Sequence, residues 1–106
     1  MKSEIIDMKT HLSNILDDID LIFKDKNVKY NIKDILKIKN IIEELKLTLD
    51  DENEIYSIKL VKVKLVSNMI YDLNYANLFS NITDHISNEF YAFSFLLQEM
   101  LKEKEK

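Results

Sequence analysis

The 106-residue chain contains neither glycine nor proline. It therefore lacks the residues that favour tight hairpin turns and those that break helices, which argues against a fold of many short strands. Apolar residues instead recur at alternating steps of three and four, the spacing of an amphipathic helix. In the first segment they are Ile5, Met8, Leu12, Ile15, Ile19 and Ile22, a stripe widened by Leu16 and Phe23. With Ser3 as N-cap and Glu4 and Asp7 in the first turn, this predicts a helix over residues 4–24.

Residues 24–31, KDKNVKYN, interrupt the pattern and read as a loop. Asn31 is placed to cap a second helix, with Asp34 three positions on and a stripe of Ile35, Ile38, Ile42, Leu45 and Leu49. The acidic run 50–54 follows, where Asp51 and Glu54 have the spacing of a capping box for a third helix. Residues 57–66, SIKLVKVKLV, partly alternate as a strand would. A lone strand would leave its backbone unpaired, so a helix is expected, with Ile58, Val61, Leu65, Met69 and Leu73 as its inner stripe. The stripe changes direction between Leu73 and Phe79. There the asparagines of NYAN tolerate left-handed backbone, and Asn81 with Asp84 can cap a last helix to about residue 103. The reading is one all-α domain over residues 1–106, an antiparallel four-helix bundle ending in a frayed charged tail at 102–106. Fewer, longer helices that complete their core only as a homodimer are the alternative.

Composition then excludes several kinds of chemistry. The absence of glycine removes the phosphate-cradling loops that need close backbone approach. All fifteen basic residues are lysine, so bidentate arginine clamps and arginine-based helical nuclease motifs are excluded. There is no cysteine, hence no disulfide and no thiolate metal site, and a reducing compartment is the natural setting. The start MKSEIIDMKT lacks the apolar run of a signal peptide, and no stretch approaches the roughly 20 apolar residues of a membrane span. A soluble, cytoplasmic protein without membrane contact is expected.

The densest aromatic stretch is FYAFSF, residues 90–95. On a helical wheel Ile82, Ile86, Phe90, Phe93, Leu97, Met100 and Leu101 share one face. Tyr91 and Phe95 fall on nearly the opposite side, beside Asn88, Glu99 and Lys102. Two readings stand: the pair fills a secondary groove of the same core, or it is an exposed patch of the kind that marks binding surfaces. Seven of the ten aromatics lie between residues 71 and 95, so a partner surface is expected at this end of the chain. Tyr71, also off its helix's main face, and Tyr75 are its outlying candidates.

Little else suggests a site. His11 lies one turn after Asp7 and His85 one turn before Glu89, giving two ligands each where structural metal sites use four. The Glu-x-x-His motif of di-metal bundles is absent, because Met8 and Ile82 occupy the glutamate positions. The acidic runs at 17–20 and 50–54 lack the spacing and the glycine of a calcium loop. No metal, cofactor or small-molecule substrate is expected, and no enzymatic activity; an enzyme would need a pocket holding a perturbed histidine or acid, and His11 and His85 far apart and solvated would remove most of that case.

Charge is unevenly spread over a net of −4. Lys24, Lys26, Lys29, Lys33, Lys37 and Lys39 give residues 24–39 a local +4, and Lys59, Lys62 and Lys64 add a second basic stretch. Residues 40–58 carry a local −5. The basic stretches side by side would suit a nucleic-acid backbone; the same lysines can equally complement the protein's own acids. The expected function is a non-enzymatic helical protein that binds another protein or itself as a homo-oligomer. An inhibitor, immunity or regulatory protein of a mobile element fits the lysine-, isoleucine- and asparagine-rich composition. A lysine-based nucleic-acid-binding regulator is the alternative.

Overall fold

A computed structural model describes residues 2–25, 31–77 and 80–105 of the chain. Four helices account for most of it: α1 (Lys2–Lys24), α2 (Ile32–Leu49), α3 (Leu60–Ala76) and α4 (Asn81–Glu105), with a 3₁₀ turn at Glu54–Ser57 between α2 and α3. No strand occurs among the described residues. The expected four-helix bundle is what forms, 48 Å long and 20 Å across.

Contacts between side chains establish the antiparallel order. Lys9 meets Asp50 across α1 and α2, while Lys39 lies over the Phe23 ring near the other end of that seam. Lys62 meets Glu44 across α2 and α3, and Thr83 bonds Asn74 across α3 and α4. Across the seam of α1 with α4, His11 on α1 meets Glu89 on α4, and His85 on α4 meets Asp18 on α1. Each helix thus runs against its neighbours, and α4 returns to lie beside α1.

The stripes read from α1 and α2 are the buried ones. From α4 come Ile86, Phe90, Phe93, Leu97 and Met100, with Ile82 and Leu101 packed at the margin. Phe90 and Phe93 meet as a tilted pair with centroids 5.4 Å apart. This core closes within one chain, so the alternative of a dimer needed to complete it does not apply. Each fully buried Ile, Leu or Phe contributes about 1.5–3 kcal/mol relative to exposure.

Several expectations are corrected. On α3 the inner stripe is Val63, Val66, Ile70 and Leu73, while Val61 is 82% and Leu65 51% exposed. Residues 61 and 65 face water because they lie on the side of α3 roughly opposite Val63, Val66, Ile70 and Leu73, the face that meets the core. The Asp51–Glu54 pair does not open that helix. Asp51 Oδ1 accepts from Asn53 N–H at 2.9 Å, and a single 3₁₀ turn follows that buries Ile55. Extended backbone at Lys59 then starts α3 without a side-chain cap. Ser3 sits inside α1, with its hydroxyl on Glu4.

At the α3–α4 turn, Asn77 has φ −107°, outside the left-handed region; its Nδ2–H donates to the Leu73 carbonyl at 2.8 Å. Ser80, not Asn81, caps α4: its hydroxyl accepts from Thr83 N–H at 3.3 Å, and its carbonyl accepts from Asp84 N–H. The last helix runs on to Glu105, into the tail expected to fray. Asn31 caps α2 as expected, accepting from Lys33 N–H at 3.1 Å. Most of the loop read at 24–31, and Phe79, lie outside the described residues.

Candidate functional site

Helix α4 is inserted between α1 and α3, and its two flanks differ in chemistry. The flank toward α1 is polar. His11 Nδ1–H donates to Glu89 Oε2 at 2.6 Å, and His85 Nε2 lies 3.3 Å from Glu89 Oε1. His85 Nδ1 is hydrogen-bonded to Asp18. The histidines are therefore linked through one glutamate and are not far apart. The Asp18 hydrogen bond holds the His85 pKa above its ordinary value; partial burial opposes it, and the charges of Asp18 and Glu89 add to the rise. Carboxylates at both ring nitrogens suit an imidazolium, which donates from both. Among the described residues, no three His, Asp or Glu side chains are placed to hold a metal ion. The chain of four groups lies along a helix seam, and its members pair with one another.

The flank toward α3 is apolar and open. The Thr83 hydroxyl donates to Asn74 Oδ1 at 2.7 Å and shares a 2.9 Å bond with Ser80 Oγ, which satisfies the two buried polar side chains where the helices meet. Farther along, small side chains, Ser67 on α3 and Ser94 on α4, face the gap between the helices. A groove of about 460 Å³ opens there, walled by Leu60, Tyr91 and Phe95. Ser94 Oγ is buried there and has no hydrogen-bond partner among the described residues.

The rings that the sequence places off the core stripe remain in water. Tyr91 is 74% and Phe95 56% exposed; Tyr71 and Tyr75 are 59% and 66% exposed. Tyr71 and Tyr75 stack one turn apart with centroids 6.4 Å apart and planes 22° from parallel. Antiparallel packing puts all four on one side of the molecule, the outer face of α3 and α4. Val61 and Leu65, assigned to the core from their spacing, belong to this face instead. The sequence carried the signal: α3 holds two overlapping apolar stripes, and only one can point inward.

The lysines are more dispersed. Lys24, Lys33 and Lys37 are exposed, Lys33 and Lys37 on successive outer turns of α2. Lys39 is half-buried, with its ammonium 5.8 Å from the Phe23 ring centre. Lys26 and Lys29 lie outside the described residues. Among the described residues, the lysines of the two basic stretches do not lie side by side. Lys59 and Lys62 sit beside Glu44 and Thr48, whereas Lys37 sits beside Met69 and Leu73. Lys62 is also paired with Glu44 at 2.6 Å.

The chain matches no protein-family model, no curated protein and no solved structure. Among the described residues, no helix is long and apolar enough to cross a membrane. Fold and site define the class: a small four-helix bundle with a complete core and an aromatic outer face on two adjacent helices.

Proposed function

We propose that this is a non-enzymatic interaction protein that works by presenting the outer face of α3 and α4 to a protein surface. One observation carries the reading: four aromatic rings stay more than half exposed beside a core that is already full. Exposed aromatic clusters of this size are uncommon on isolated monomers, and aromatic residues dominate binding hot spots. The open groove walled by Leu60, Tyr91 and Phe95 gives an occupant a place for an apolar side chain. The lysine-based nucleic-acid reading has less to draw on, because Lys39 and Lys62 are engaged within the bundle.

The test separates binding from folding. Tyr91→Ala and Phe95→Ala should leave the thermal midpoint nearly unchanged, since exposed substitutions stay within about 0.5 kcal/mol. The same variants should weaken association by about 2 kcal/mol or more per hot-spot ring. Variants that unfold while association by the remaining folded protein is unaltered would show that the rings serve the fold alone.

A further inference from the structure

The outer stripe of α3 has an internal symmetry that points to its occupant. Counted outward from Asn68, its exposed residues fall into matched pairs: Lys64 with Asp72, Leu65 with Tyr71, and Val61 with Tyr75. One pair is oppositely charged, two are apolar, and the centre is an amide that can donate and accept with its own copy. All seven side chains are exposed, and steps of three and four keep them on one side over about 21 Å of helix.

We propose that a second copy of this chain packs against this stripe, with the two α3 helices antiparallel about a twofold axis through Asn68. The proposal rests on the reading of the α3–α4 face as an interaction surface and names the partner. In such a pair each contact occurs twice, so residues equidistant from the axis must suit each other. On the centre line they do: Val61 meets Tyr75 and Asn68 meets its own copy, while Lys64 reaches across that line to Asp72 of the second copy; Leu65 and Tyr71 flank the contact on opposite sides. A parallel arrangement would set Lys64 against Lys64 and Asp72 against Asp72, which like-charge repulsion disfavours. An unrelated partner gives no reason for the stripe to match its own reversal. Neither Lys64 nor Asp72 has an ion-pair partner among the described residues, so both charges are available.

The area is sufficient. The four rings alone leave about 500 Å² in water, taking about 200 Å² for each side chain. Val61, Leu65 and the polar margin bring the face near the roughly 800 Å² that each partner buries in a stable pair. Tyr91 and Phe95 border the stripe across the groove and shield its edge from solvent.

Sedimentation equilibrium over a concentration series tests this, with helical content followed by circular dichroism. The wild-type chain should reach twice its 12.6 kDa mass. Lys64→Glu and Asp72→Lys should each weaken the pair by at least about tenfold, because each creates two like-charge contacts. The double variant, carrying both changes, should recover to within about threefold of wild type, since the opposite charges meet again in reversed order. Both positions are exposed, so the variants should keep native helicity. A folded chain that stays monomeric to about 100 μM, weaker than a Kd of that order, overturns the proposal. So does a dimer unmoved by the single substitutions, or a double variant that does not recover. If the chain is monomeric while Tyr91→Ala and Phe95→Ala leave its thermal midpoint unchanged, only the second copy is excluded and the face remains open to another protein. If those variants unfold the monomer, both readings fall.

Discussion

His85 shows what a single side chain gains from its neighbours. Asp18 on α1 and Glu89 on its own helix both face its ring, and Glu89 also binds His11. Its folded pKa is raised, so its contribution to stability is fully present below the ordinary histidine value of about 6.5 and is lost as pH rises through the folded value. The ring is about half exposed, so solvent screening keeps the effect small. Thermal midpoints of the wild type and His85→Gln should therefore differ most at mildly acidic pH and converge toward pH 8. A difference that grows with pH would overturn the assignment. The separate residues were legible in the sequence, since His85 and Glu89 are one turn apart. The link to His11 and Asp18 was not, because it depends on the register of α4 against α1, which no local spacing encodes.

At the scale of the helix, α1 and α2 were readable because each carries one unbroken stripe in steps of three and four, although Ile6, Leu21, Leu36 and Leu47 lie exposed outside it. The residues at those steps are all buried, while of the two that widen the α1 stripe Leu16 is half-buried and Phe23 is exposed. Helix α3 was readable as a helix but not in its orientation: Val61 and Leu65 compete with Val63, Val66 and Ile70 for the inward direction. Position along the wheel cannot decide between two apolar faces; which of them meets the core formed with α2 and α4 does. The outcome is testable by a matched pair of substitutions. Val66→Asp places an unpaired charge in the core and should abolish cooperative folding, since the cost approaches the whole stability of a small domain. Val61→Asp should shift the thermal midpoint by no more than a few degrees. Equal damage from both would mean that α3 is rotated from its described orientation. On α4 the inner face legible in the sequence is the buried one; the wheel sets Tyr91 and Phe95 nearly opposite it but leaves open a secondary groove or an exposed patch, and both rings are more than half exposed. Ser80 was passed over as its cap because Asn81 has equal cap propensity and comes before the same first turn.

Across the whole molecule, three of the four seams join helices that follow one another in the chain, so most contacts are local. Such a topology folds fast, and a chain without proline has no slow prolyl isomerisation step. Stopped-flow refolding should follow one exponential complete within about a second, whereas a phase of tens of seconds would contradict it. The fourth seam is different, because α1 packs on α4 and must wait for it. While the nascent chain leaves the ribosome, Met8, Leu12 and Ile15 have α2 beside them but nothing on the side that α4 will cover. The order of synthesis therefore leaves the first helix exposed longest, and a chaperone that engages the unfinished protein would find its foothold there.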